Sequence, residues 1–142
     1  MVNAVNNSKE FSCHKISGGR AEAPCIISPD DICFYLCDPK TGIVLEEGHA
    51  LKGRSLADKI VIFPSGKGSS VVQTDGLFQL AMNGNAPKAI IVQYPDTVLV
   101  ASCIILDIPM VDRVDPAFYH WIESGVTLHL DADRERIRVM AP

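Results

Sequence analysis

The chain has 142 residues, 47% of them hydrophobic, enough for one buried core and one domain. Its formal net charge of −4, with 13 Lys and Arg scattered along the sequence, lacks the clustered basic stripe that neutralises nucleic-acid phosphates. No apolar run reaches the roughly 18 residues of a membrane span, since the nearest candidate, 98–110, is broken by Asp107 and Pro109; the expectation is a soluble, cytoplasmic protein.

Residues 1–10 are polar and Asn-rich, without the apolar centre of a secretory signal, and read as a flexible tail before a domain spanning 11–142. Stretches 11–16 and 24–28 read as short strands around Ser17-Gly18-Gly19-Arg20, an opening hairpin or arch. A third strand is expected over 32–37, ended by the turn Asp38-Pro39-Lys40-Thr41-Gly42, in which Pro fixes φ and Gly accepts a positive one. Residues 43–46 resume an extended course. The loop 48–55 carries His49, whose reading as an imidazole tied to a backbone carbonyl is favoured slightly over substrate contact.

An apolar strand at 59–63 then runs into Pro64-Ser65-Gly66-Lys67-Gly68-Ser69-Ser70, and a helix is expected over 70–82. Gly76 weakens that helix by roughly 1 kcal/mol against Ala, and Gly84 with Pro87 supplies its stop. The almost wholly apolar run 88–93 suggests a strand covered on both faces, completing a βαβ unit in a parallel sheet. Open α/β sheets place their sites beyond the C-terminal strand ends, where the glycine-serine corner lies.

A helix is favoured over 98–106, capped from Pro95-Asp96-Thr97, with a core strand at 108–111 after it. Residues 116–123 form a helical turn expected to bury Phe118, Trp121 and Ile122. The alternating stretches 126–130 and 136–140 flank a charged turn and give a terminal β-hairpin with one wet face. No internal repeat or low-complexity tract occurs. The five cysteines, at 13, 25, 33, 37 and 103, lack C-x-x-C spacing, and a reading as buried thiols outweighs metal ligation by Cys33 and Cys37.

The corner resembles a P-loop only superficially, because Lys67 is followed by Gly68 and the upstream glycine of that motif is Val61. It also lacks the Gly-x-Ser-x-Gly elbow. Its chemistry is that of a helix N-terminus, where N–H donors, Lys67 and two hydroxyls favour an anion or a developing alkoxide. From these residues alone a plain turn and a catalytic corner stay equally open.

The ordered segments Lys59-Ile60-Val61-Ile62-Phe63-Pro64-Ser65-Gly66-Lys67-Gly68-Ser69-Ser70, Asn83-Gly84-x-Ala86-Pro87-Lys88-Ala89-Ile90-Ile91 and Ile108-Pro109-x-Val111-Asp112 resemble the small subunit of aconitase X enzymes. So do Asp38-Pro39-x-Thr41-Gly42-Ile43, Gly48-His49 and Gly19-x-Ala21-Glu22-Ala23, and the likeness runs from about Cys13 to Met140. It implies an α/β, swivelling β/β/α domain like the mobile domain of aconitase, in a heteromeric hydro-lyase. The implied substrate is mevalonate 5-phosphate, with cis-3-hydroxy-L-proline as the alternative; a non-catalytic binding module on the same fold is a second alternative. By the same resemblance the partner is a large subunit holding an iron–sulfur cluster, this chain holds no metal, and Ser69 is the proton acceptor for a small anionic hydroxy acid. Lys67 is expected to support Ser69 electrostatically, while Ser65, Gly66, Gly68, Ser70, His49 and Arg20 are the expected substrate-side residues. The departures from the family pattern are Val71 to Gly76 after the serines, Ser65 where archaeal members commonly carry His, and Leu36-Cys37 before the Asp-Pro turn.

Overall fold

The computed structural model describes residues 8–140, so most of the expected N-terminal tail lies outside the described residues. The strands are β1 (Lys9–Ser12), β2 (His14–Ser17), β3 (Arg20–Ile27), β4 (Ile60–Phe63), β5 (Ala89–Val92), β6 (Met110–Asp112), β7 (Thr127–Asp131) and β8 (Arg136–Val139). Between them lie a 3-10 turn (Phe34–Leu36), α1 (Ser70–Met82), α2 (Thr97–Ile105) and the short α3 (Phe118–Trp121). Lys9 and Glu10, read as tail from the sequence, belong to β1 and pair with Val139 and Arg138.

The strands form one sheet in the order β1-β8-β7-β3-β4-β5-β6-β2. Its centre, β3 to β6, is parallel, and its flanks are antiparallel. β1 and β2 occupy opposite ends of that order although Cys13 alone separates them in the chain, so the sheet must curl until its edges nearly meet. The stretch expected as one strand at 11–16 is therefore two, and neither pairs with β3, which rules out the opening hairpin. The terminal hairpin β7–β8 forms as expected, with Leu128 opposite Val139.

Period-two alternation divides the core. Val61, Phe63, Ile90 and Val92 face outward to Leu77 and Leu80 of α1 and Leu99 and Cys103 of α2. Ile60, Ile62, Ala89 and Ile91 face inward to Leu128, Leu130, Ile137 and Phe118. All eight are at most 2% exposed, which explains why these two strands read as unbroken apolar runs.

Two other expectations change. Residues 32–37 are not a strand: Ile32 bridges to Gly66 and Cys37 to Val44, but the 3-10 turn between them drives Phe34 edge-on against Phe63, ring centroids 5.8 Å apart. That turn lies against α1 at Gly76, where a Cβ would come within 2.1 Å of Tyr35 N. Gly76 thus trades helix propensity for close packing. Trp121, expected in the core, is 54% exposed and takes Lys9 Nζ over its ring at 4.6 Å, while Phe118 alone of that turn is fully buried.

Candidate functional site

The corner at 64–69 is held between the segments that follow β3 and β5. Ile32 N–H donates to Ser65 O (3.0 Å), and Lys67 N–H donates to Ile32 O (3.2 Å). On the other side Tyr94 N–H donates to Pro64 O (2.9 Å) and Ser65 Oγ–H to Tyr94 O (2.6 Å). Gly68 is dictated by its φ of +106°, and a Cβ on Gly66 would lie 2.7 Å from Gln73 Oε1, so it would displace the end of that side chain.

Ser69 is the N-cap of α1, in extended backbone (φ −65°, ψ 161°), with Oγ accepting from Val72 N–H at 3.4 Å. The N–H groups of Ser70 and Val71 precede the first intrahelical bond, so the positive end of the helix opens beside the Ser69 hydroxyl. Gln73, one turn into α1, is buried and donates from Nε2 to Gly68 O at 2.8 Å, clamping the loop to the helix. Gly68, Ser69 and Ser70 are exposed.

Charge is concentrated beside the corner. Lys67 Nζ donates to Glu46 Oε2, and this hydrogen bond holds the ammonium's pKa above its usual 10.5. The pair borders a depression of about 310 Å³ lined also by Asp30, Asp31, Glu47 and His49. His49 Nδ1 accepts from Leu51 N–H (3.0 Å), so the ring proton sits on Nε2 and is donated to Asp31 O (3.0 Å). With both nitrogens occupied and the residue 7% exposed, His49 shapes a loop and offers no free ring nitrogen to a substrate.

The sequence signature of the aconitase X swivel domain matches residues 10–139. The chain belongs to the aconitase X swivel domain family. Similar proteins include the phosphomevalonate dehydratase small subunits of Methanothrix thermoacetophila, 41% identical over 127 residues (89% of this chain, 91% of that one), and of Thermococcus kodakarensis, 40% identical over 127 residues (89% and 92%). The crystal structure of Thermococcus kodakaraensis aconitase X in its holo-form aligns with a TM-score of 0.85 and 38% identity, over 94% of this chain and 99% of the matched one.

Six of the residues expected in the aconitase X site, Ser65, Gly66, Lys67, Gly68, Ser69 and Ser70, form one continuous rim segment. His49 flanks it, turned into its own loop. Arg20 does not belong there: it opens β3 at the end away from the corner and pairs with Asp131 of β7, Nε to Oδ2 3.4 Å. The parallel register, Ile27 against Ile62, puts seven residues of strand between Arg20 and the corner's level, about 23 Å. Glu46 and Gln73, which restrain Lys67 and Gly68, escaped the sequence reading. Glu46 is 21 residues from its partner, and a Gln on a helix carries no local signal of a loop contact.

An aconitase-like family suggests an iron–sulfur cluster, and the residues of this chain do not fit one. All five cysteines are buried and unpaired by disulfides. Burial pushes the thiols of Cys13, Cys37 and Cys103 up to about 12, and thiolates are what bind iron. Cys13 and Cys25 lie inside the curled sheet, whereas Cys37 and Cys103 lie under the helices. Among the described residues no group of three or more His, Cys, Asp or Glu is placed to hold a metal ion. No described helix is long and apolar enough to cross a membrane.

Proposed function

We propose that this chain is the small subunit of a phosphomevalonate dehydratase, and that Ser69 accepts the carbon-bound proton of the substrate. The observation that carries the reading is the exposed Ser69 hydroxyl, seated at the N-terminus of a 13-residue helix on the rim beyond β4. Dehydration of a hydroxy acid removes a proton from carbon and expels a hydroxyl from its neighbour. An alcohol accepts a proton only as its alkoxide, so the site must lower the cost of that anion. The α1 N-terminus and the Lys67 ammonium, which Glu46 keeps protonated, act in that direction.

In the isolated chain water screens both effects, because Ser69 and its neighbours are exposed. A large subunit closing over the corner would remove that water and supply the acceptor for the leaving hydroxyl. In this reading the iron–sulfur cluster belongs to the large subunit, and the five reduced thiols suit a cytoplasmic location.

The test is to co-express the chain with the large subunit encoded in the same genome, under anaerobic iron loading, and to assay dehydration of phosphomevalonate and of cis-3-hydroxy-L-proline. Turnover of phosphomevalonate by the complex, and by neither chain alone, is the expected result. A complex that turns over hydroxyproline would replace the substrate, and one that dehydrates neither would leave a binding module.

A further inference from the structure

The outer face of α1 sets three exposed apolar side chains among Ser70, Thr74, Asp75 and Gln79 and carries only one charge. The 13 residues of α1 and the 9 of α2 contain one charged side chain, Asp75, although 21% of the whole chain is charged. A surface helix ordinarily sets charged residues opposite its buried stripe. Here Leu77 and Leu80 fill the core while Val71 (78% exposed), Phe78 (45%) and Met82 (67%) stand outside, in one line with Asp75 along the helix.

Two shallow depressions join along this line. One is lined by Ser70, Val71, Thr74, Asp75 and Phe78. The other, which shares Asp75, is lined by Tyr35 and Leu45 with Gly76 and Gln79. Tyr35 (53%) and Leu45 (55%) thus stand exposed on one side of Asp75, and Val71 and Phe78 on the other. Counting all atoms of the five residues, their open area is roughly 600 Å², comparable with the 300–600 Å² of the largest apolar patch on a typical monomer, which is often functional. It is most of the about 800 Å² that one partner contributes to a standard interface.

We infer that this face, Tyr35, Leu45, Val71, Phe78 and Met82, is the docking surface for the large subunit. The inference rests on the reading of Ser69 given above. Ser70, the neighbour of Ser69, lines the same depression as Val71, Thr74 and Phe78, so a subunit that covers the corner reaches the N-terminal end of that depression. The complementary surface is apolar, with one cation or hydrogen-bond donor opposite Asp75. The swivelling domain then turns about a contact that begins at the reactive residue, and burial of the stripe and desolvation of Ser69 are one event.

The test measures affinity between the full-length small subunit and its large subunit for wild type, Val71→Asp/Phe78→Asp and Trp121→Asp, the last on α3 over the other face of the sheet. Val71→Asp/Phe78→Asp is expected to weaken the complex at least 100-fold, with the circular dichroism of the isolated chain unchanged and Trp121→Asp binding like wild type. Wild-type affinity in the double variant overturns the inference. So does a self-association of the isolated chain that the two substitutions abolish while large-subunit binding persists, because the stripe then serves a second copy. Ser69→Ala, assayed alongside, separates the two claims: full activity in that variant removes the proton acceptor and leaves the docking surface standing.

Discussion

Lys67 Nζ and Glu46 Oε2 stand 2.5 Å apart, a bond that ties the glycine-serine corner to a loop 21 residues earlier. It makes Lys67 a cation already engaged by a carboxylate, and an anionic substrate bound at the proposed site would have to compete with Glu46 for it. Glu46→Gln is expected to lower KM for phosphomevalonate about two- to fivefold with little change in kcat, the range that a half-exposed ion pair is worth. An unchanged KM would mean that Lys67 never meets the substrate.

The same pair sets a pH dependence. Glu46 raises the Lys67 pKa in the fold above 10.5, so the pair's contribution to stability is complete below the unfolded value and is lost as pH rises through the higher folded one. The difference in melting temperature between wild type and Lys67→Met should be constant from about pH 7 to 9 and shrink only above about pH 10.5. A difference that already shrinks between pH 7 and 9 would show that the hydrogen bond does not hold the proton on Lys67.

Gly76→Ala offers a direct contest between propensity and packing. In an exposed helix the change favours the fold by about 1 kcal/mol. Here the new Cβ would fall 2.1 Å from Tyr35 N and 2.5 Å from Tyr35 Cα, backbone atoms that cannot rotate aside. A loss of about 1–3 kcal/mol or more is expected in denaturant unfolding. A gain would mean that the 3-10 turn yields readily.

The buried thiols give a fourth expectation. Cys13, Cys37 and Cys103 are raised from 9.0 to about 12 by burial, so the stability their neutral forms contribute is full below pH 9 and declines as pH climbs towards 12. Native protein titrated with an aromatic disulfide at pH 8 should show slow reaction of all five cysteines, and denatured protein should show five rapid ones. Fast reaction of a native thiol would indicate a thiolate site that the packing does not account for.

The sequence was most legible where structure is local. The apolar runs of β4 and β5, the glycines between them and the capping hydroxyl of Ser69 lie within one short stretch, and α1 spans Ser70–Met82 as its cap and stop indicate. Asp96 likewise caps α2, Oδ1 accepting from Val98 N–H. Distant pairings left no such mark. Residues 32–37 read as a strand because nothing nearby reveals that Phe34 packs on Phe63 and that a 3-10 turn lies against Gly76. Arg20 suited an anionic substrate by its chemistry, but strand register sends it to the far end of β3 opposite Asp131. Trp121 is amphipathic enough to serve in a core, and only the fold shows it outside under Lys9.

Ser69 serves two purposes that one substitution can separate, since its Oγ caps α1 and is also the proposed proton acceptor. Asn caps a helix as well as Ser does, whereas Ala loses about 0.5–2 kcal/mol at such a position. Ser69→Asn therefore keeps the fold and removes the hydroxyl, and the decisive quantity is its kcat for phosphomevalonate dehydration in the complex with the large subunit. A fall of about 10²–10⁴-fold is expected, the usual contribution of a positioned base, at unchanged melting temperature and subunit affinity. Wild-type kcat in the Ser69→Asn complex would contradict Ser69 as the proton acceptor.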